Sequence, residues 1–342
     1  MRIQTKTWIL DDTNRLNVEE INFLESGHLV VDVLLSSICG TDLHIMAGHD
    51  SLSRPLSLGH EFIGSVVSAP NNQYETGDRI IIAPGVPCGE CYYCSSFGNG
   101  NWCINRKSHG IYGLDSSFPV LGGFSSRIAL AHGIKTYKIP DSMADQVAVL
   151  AEPLTVAIRA LDRGFNNLRS NKDRRIAVVG LGPIGALTCI LAKAYGYDVI
   201  GVDKEQYRVE YMNKKIGINS FAKQDCMMES IYDVVIECTG EPESIPTCIH
   251  MLRRGGRLVV AGHFYPNGKV EIDPYNICRN DIEVCGTILG DESSYRTAIN
   301  LLTRKDLPWD NVISDIYSFD RVPEAFEKAL DRHCMKVAVR IN

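Results

Sequence analysis

The stretch Arg175-Ile176-Ala177-Val178-Val179-Gly180-Leu181-Gly182-Pro183-Ile184-Gly185 decides the fold. Its first five residues, mostly apolar, predict a strand, the glycines after them a tight turn, and the apolar run from Pro183 a helix. A Gly-x-Gly-x-x-Gly turn in that setting is where a dinucleotide's pyrophosphate meets backbone N–H groups at a helix N-terminus. By itself the motif is weak, because any strand-to-helix turn can carry glycines. Asp203 strengthens it. It ends the next expected strand, about 20 residues on, where a carboxylate accepts hydrogen bonds from an adenosine ribose. The same charge repels a 2′-phosphate, so the site reads as one for NAD rather than NADP, a reading softened by the neighbouring Lys204.

Outward from this turn, strands expected at 175–179, 199–202, 233–237 and 257–261 alternate with helices from 183, at 205–216 and at 243–252. That rhythm predicts βαβ units and a doubly wound parallel sheet, an α/β fold. The first 150 residues read differently, as mainly β with irregular loops. Runs at 28–35, 62–67 and 79–83 are rich in Val and Ile, and Gly77-Asp78 supplies a turn before the last. Beyond 291 come expected helices at 293–302 and 323–330 and a strand at 337–341. The expected division is a β-rich unit of residues 1–153 plus 291–342 around a dinucleotide-binding unit of residues 154–290. No internal repeat or low-complexity tract interrupts it.

At 342 residues the chain is long enough for two domains, with 45% hydrophobic and 22% charged residues, ordinary globular proportions. Its net charge of −6 offers no basic excess for a nucleic-acid backbone. The longest uncharged stretch, 176–192, is broken by Gly180, Gly182, Pro183 and Gly185, so no membrane span is expected. Trp8-Ile9-Leu10 is the only apolar run before Asp11 and Asp12, too short for a secretory signal. A soluble cytoplasmic protein is expected.

Twelve cysteines are many for such a chain, and four cluster at 88, 91, 94 and 103. Without a secretory signal, Cys88-x2-Cys91-x2-Cys94 followed by Cys103 reads as a metal lobe rather than disulfides. Zinc takes four thiolates as a closed tetrahedron, a structural site. A second set of metal-capable groups lies apart from it, in Cys39-Gly40-Thr41-Asp42-Leu43-His44 and Gly59-His60-Glu61. A lone cysteine or histidine is more often packed in a core than bound to metal.

Together these four motifs, in this order, resemble the zinc-dependent medium-chain alcohol dehydrogenases over nearly the whole chain. The resemblance implies a β-rich GroES-like catalytic domain beside a Rossmann domain. It implies that Cys39 and His60 hold a catalytic zinc, that Asp42 orients the imidazole, and that Thr41 and His44 form a proton relay from the substrate alcohol. In alcohol dehydrogenases proper the third protein ligand is a further cysteine. Here the matching segment is Leu150-Ala151-Glu152-Pro153-Leu154, which looks like the polyol (sorbitol-type) and glucose dehydrogenase branches, where a glutamate coordinates zinc directly or through water. Glu61 is similar to a nearby carboxylate that moves in and out of coordination. One thiolate, one neutral imidazole and one carboxylate would balance Zn²⁺, and the harder oxygen ligand would make the ion more labile. The Cys94-to-Cys103 gap holds eight residues where the family usually has seven, an insertion that a Gly-Asn-Gly loop absorbs. Arg208 matches a basic residue beside the ribose, while Thr239, Ala261, Gly262, Thr287 and Ile288 match positions that line the nicotinamide and its ribose.

The expected activity is zinc-dependent hydride transfer between a secondary alcohol of polyol, sugar or cyclitol type and NAD, with two zinc ions per chain and a homo-dimeric or homo-tetrameric assembly. Three rivals are weaker. A quinone-oxidoreductase-like relative would lack Cys39, His60 and the cysteine lobe. A zinc-stabilised, non-catalytic dinucleotide-binding protein has no use for Thr41, His44 and Glu152 together. A threonine dehydrogenase shares the Cys39–His44 run but tends to carry histidine where this chain has Gly85. The sequence does not name the alcohol, because pocket loops set that choice.

Overall fold

A computed structural model of the chain describes residues 2–24, 27–50, 52–70, 73–111, 120–165, 174–223, 230–263 and 268–342. Cys226 lies outside the described residues. Strand Arg175–Val179 sits inside a six-stranded, all-parallel sheet. From one edge to the other it runs Ser220–Ala222, Asp198–Asp203, Arg175–Val179, Tyr232–Glu237, Leu252–Val260 and Glu283–Gly286. In sequence order that is 3-2-1-4-5-6, a doubly wound arrangement whose strand order reverses between Arg175–Val179 and Tyr232–Glu237. Tyr232–Glu237 is buried along its whole length, as expected of a strand covered on both faces. Helices Pro183–Ala194, Gln206–Tyr211 and Ser244–Met251 cover the sheet. The expected helix over 205–216 holds, but its last turn, Met212–Ile216, winds as a π-helix before Gly217 closes it at φ 77°.

The β-rich half is built on a sheet in the order Lys135–Lys138, Arg79–Ala83, Glu61–Ser68, Val30–Ser37, Lys336–Arg340 and Ile313–Ser318, with Arg127–Ala129 also paired to Val30–Ser37. A hairpin of Arg2–Leu10 and Leu16–Leu24 packs beside it. The C-terminal strand Lys336–Arg340 inserts next to Val30–Ser37, pairing Ala338 with Ser37, so the end of the chain completes the sheet begun near its start. Helix Ala151–Phe165 joins the halves and runs across the expected 153/154 boundary, and its apolar face enters a core shared by both.

His109 ties loops of the β-rich half together from a fully buried position. Its Nδ1 lies 2.6 Å from the Leu121 carbonyl oxygen, and its Nε2 accepts from the Ala131 N–H at 3.1 Å. The ring is therefore held neutral, and burial pushes its pKa down to about 4. In the unfolded chain the imidazole titrates near 6.5, so folding is favoured in full above pH 6.5 and the benefit is lost as pH falls towards 4. A shift of that size corresponds to roughly 3 kcal/mol. Denaturant unfolding at pH 7 and pH 4 should show that His109→Gln loses less stability between the two than the wild type. Equal losses would show that His109 does not report on folding.

Candidate active site

Antiparallel register builds the centre of the site. Ser37 pairs with Glu61 at the ends of Val30–Ser37 and Glu61–Ser68, so Cys39, two residues beyond one strand, meets His60, one residue before the other. Ligand-capable atoms of Cys39, His60 and Glu61 all lie within 4.8 Å of one another. Cys39 caps helix Gly40–Met46, donating its own N–H to Asp42 Oδ2 at 2.9 Å. Asp42 is fully buried, accepts the Gly59 N–H at 3.2 Å and faces His60 Nδ1 at 3.4 Å, which turns Nε2 away from it. That is the usual way an outer carboxylate orients a ligating imidazole. On the same helix the Thr41 hydroxyl lies 3.7 Å from Cys39 Sγ, with His44 three residues on along one face. Burial, then the nearby His263 and His49, hold His44 below the usual histidine pKa.

Glu152, in the first turn of helix Ala151–Phe165, is buried beside the Cys39–His60–Glu61 triplet rather than within it. Burial, reinforced by the Glu61 charge, raises its carboxyl to about 7. Glu61 Oε2 accepts from the Ser37 hydroxyl and from Lys336 Nζ, the latter at 2.6 Å, with Lys336 only 2% exposed. Burial disfavours a charged His60, yet Asp42 and Cys39 outweigh it and hold the imidazole well above its ordinary pKa. The region therefore attracts positive charge. The donors that meet here are a thiol sulfur, an imidazole and carboxylate oxygens, the groups that bind zinc. A zinc ion fits this donor set.

The second cluster sits on a lobe of the β-rich half. Sulfur atoms of Cys88, Cys91, Cys94 and Cys103 lie within 4.8 Å of one another. Cys91 and Cys94 are 3.5 Å apart, and Cys88 and Cys103 3.4 Å. Four thiolates at about 2.3 Å from a zinc ion stand about 3.8 Å apart, close to these values and far from a disulfide's ~2.05 Å. The Cys88 and Cys91 N–H groups donate to sulfur atoms of the set, as they would to thiolates. The extra residue of the loop is absorbed without separating the sulfurs.

The glycine turn follows Arg175–Val179 and opens the helix at Pro183, which occupies the first helical turn with Ile184 after it. Gly180 has φ 95°, and a side chain there would press on the Cys238–Thr239 backbone. One on Gly185 would overlap the Gly180 carbonyl oxygen. Gly182 differs: a Cβ there would meet only the Arg208 guanidinium, at 3.6 Å, so its bareness leaves room for a ligand rather than for packing. Asp203 is almost buried. Its Oδ2 accepts the Leu181 N–H at 2.6 Å and its Oδ1 the Glu205 N–H at 2.9 Å, with Arg208 4.0 Å away. Two carboxylate oxygens have lone pairs to spare beyond these two bonds. Thr239, Ala261, Gly262, Thr287 and Ile288 all follow the carboxyl ends of the next three strands, where open α/β sheets bind ligands. The buried Thr287 hydroxyl has no hydrogen-bond partner among the described residues, so a dinucleotide group placed there could bond to it.

Three contributors are absent from the sequence reading. Lys336 reads as one surface charge ahead of an apolar strand. Glu237 is fully buried, and its Oε1 accepts from the N–H groups of Thr239 and Gly240 and the hydroxyls of Thr239 and Ser244, fixing the Thr239 turn. His263, directly after Gly262, lies close enough to His60 that their charges disfavour each other. A buried acid at a strand's carboxyl end was the one available signal, in Glu237.

Two family models match the chain, the alcohol dehydrogenase GroES-like domain over residues 25–141 and the zinc-binding dehydrogenase domain over residues 183–304. Sorbitol dehydrogenase of Bacillus subtilis is 29% identical, with 98% of this chain and 97% of that protein covered. D-arabinitol dehydrogenase 1 of Uromyces fabae is 26% identical over 94% of this chain and 93% of its own. A putative zinc-binding dehydrogenase from Sinorhizobium meliloti 1021, solved with NADP, superposes with a TM-score of 0.87 at 26% identity, covering 99% of this chain and 100% of the other. With these matches along its length, the chain belongs to the zinc-dependent medium-chain alcohol dehydrogenase family and is an oxidoreductase acting on CH–OH groups.

Proposed function

We propose that the protein oxidises a secondary hydroxyl of a polyol, sugar or cyclitol with NAD, using a zinc ion held by Cys39, His60 and a carboxylate. The observation that carries this is the meeting of the two halves. A side chain on Gly290, just past Thr287 and Ile288, would strike Thr155, three residues beyond Glu152 on one helix, and His263, after strand Leu252–Val260, lies near His60. The metal-capable cluster and the carboxyl ends of the parallel strands thus lie close together. The sorbitol and arabinitol dehydrogenases among the relatives favour a polyol.

A zinc ion held by Cys39, His60 and a carboxylate would supply a Lewis acid that lowers the pKa of an alcohol towards neutrality. Thr41 would take the hydroxyl proton and His44, neutral near pH 7 because burial depresses its pKa, would pass it outward. The glycine turn and the helix N-terminus would hold pyrophosphate, Asp203 and Arg208 the adenosine ribose, and Thr239, Ala261, Gly262, Thr287 and Ile288 the nicotinamide end. Residues 1–153 and 291–342 form the catalytic unit in this reading, and 154–290 the NAD-binding unit. The Cys88–Cys103 lobe would hold a second, structural zinc. Eleven free cysteines among the described residues fit a reducing compartment such as the cytoplasm. The outer edge of strand Glu283–Gly286, with Val284 and Ile288 exposed, offers a second copy a pairing surface for a homo-dimer, which light scattering would read as twice the chain mass.

A panel of polyols, sugars and cyclitols with NAD, followed by absorbance of the reduced cofactor, tests the activity. Turnover of at least one secondary alcohol, lost after chelation, is expected; oxidation of primary alcohols alone would overturn the reading. Asp203→Asn keeps one backbone hydrogen bond while removing the charge. Its preference for NAD over NADP should fall about tenfold, about 1.4 kcal/mol. A wild-type preference for NADP, the ligand of the Sinorhizobium structure, would contradict the role given to Asp203.

A further inference from the structure

Lys204 follows Asp203 directly, and the fold commits its charge elsewhere. Its Nζ donates to Glu241 Oε1, and both side chains are half-exposed. Lys204 stands just past strand Asp198–Asp203. Glu241 stands in the turn after Tyr232–Glu237, where its N–H donates to the Thr239 hydroxyl at 2.9 Å. Those two strands lie on either side of Arg175–Val179 in the sheet, so the ion pair joins the strand ends that flank the glycine turn. The neighbouring cations are engaged as well. Arg332, from the C-terminal part of the chain, donates to Glu205 Oε1 at 2.6 Å, and the charges of Glu241 and Asp203 act on it too. Arg208 lies 4.0 Å from Asp203. Lys204, Arg208 and Arg332 thus each face a carboxylate.

We propose that Glu241 is a specificity-determining residue that holds Lys204 away from the 2′ position of the adenosine ribose, so that a 2′-phosphate meets Asp203 with no lysine free to offset it. The proposal rests on the NAD reading of Asp203 given above. An ammonium one residue beyond the ribose-binding carboxylate is placed to bind a phosphate monoester, whose charge at pH 7 is about −1.5 to −2. Its flexible four-carbon stem lets it turn either way. Glu241 gives it a partner beyond the glycine turn. A 2′-phosphate must then compete with Glu241 for the ammonium and lie near two carboxylates rather than one. A ribose 2′-hydroxyl carries no charge and loses little by the arrangement.

The test reads binding to the full-length protein by calorimetry, without turnover. Its two probes, AMP and adenosine 2′,5′-bisphosphate, differ only in the 2′-phosphate, and the wild type should prefer AMP. Glu241→Gln should tighten the bisphosphate relative to AMP about fivefold, the scale on which half-exposed charge pairs act. Raising sodium chloride from about 0.05 M to about 0.5 M should shrink that gain. A double-mutant cycle separates release of Lys204 from a general change of charge. Lys204→Gln should weaken the bisphosphate relative to AMP about fivefold in the Glu241→Gln background, but less than about twofold in the wild type, where Glu241 already holds the ammonium. No gain in Glu241→Gln, or equal losses from Lys204→Gln in the two backgrounds, overturns the proposal and leaves the NAD reading standing. A wild type that prefers the bisphosphate overturns both.

Discussion

Glu152→Ala should lose catalytic-metal affinity by about 10–100-fold, with turnover partly restored by added zinc and the Cys88–Cys103 site still full. The side chain is buried, sits beside the Cys39–His60–Glu61 triplet and lies in the first turn of a long helix that fixes its direction. Its raised pKa, about 7, comes from burial first and then from Glu61, which is the situation of a carboxylate waiting for a cation. Glu152→Cys should keep the ion, because charge is preserved, while shifting activity away from polyols as the site becomes softer. Metal content by elemental analysis and turnover at graded zinc concentrations check both variants. Undiminished zinc and full activity in the alanine variant would reduce Glu152 to a helix-start acid and leave Glu61 as the carboxylate ligand.

Dialysis against a chelator should strip one zinc and all activity before it disturbs the other zinc or the fold. A site with an open position and an oxygen ligand exchanges faster than four converging thiolates. The second stage should be the destructive one, since structural zinc in small lobes contributes of order 10 kcal/mol to their folding. Unfolding followed by circular dichroism alongside zinc content separates the stages. Loss of fold and activity together would show that the two sites are not independent.

Much of the fold was legible because each Rossmann element declares its own period. Strands at 175–179 and 233–237 fall within one residue of those observed, and Gly180, Gly182 and Gly185 sit at a strand-to-helix turn as expected. Helix Ala151–Phe165 was hidden by Pro153, which resembles a boundary; in a first turn, where N–H groups lack partners anyway, proline is tolerated. Strand Ile313–Ser318 escaped because its half-exposed, polar sequence makes sense only beside Lys336–Arg340. Strand Leu252–Val260 begins earlier than the expected 257, and its register shifts against Tyr232–Glu237 on the way.

For the site, local motifs pointed to Cys39, His60 and the four-cysteine lobe because metal ligands of that kind travel in short spacings. Lys336 could not be found that way. Its partner, Glu61, is nearly the whole chain away, and only the pairing of Lys336–Arg340 with Val30–Ser37 brings them together. His263 was missed for a related reason, since only the folded chain brings it near His60, whereas Glu237 was an acid at a strand's carboxyl end whose work on the Thr239 turn shows once the sheet is assembled.

Hydride transfer in the proposed function depends on an ion held by Cys39 and His60, apart from the ion of the cysteine lobe. Zinc per chain, measured by elemental analysis in the wild type and in Cys39→Ala beside NAD reduction with a polyol that the wild type oxidises, tests this dependence. The expected result is two zinc ions and turnover in the wild type, with one zinc ion, an intact fold and no turnover in the variant. Equal zinc contents, or turnover by Cys39→Ala, would contradict it.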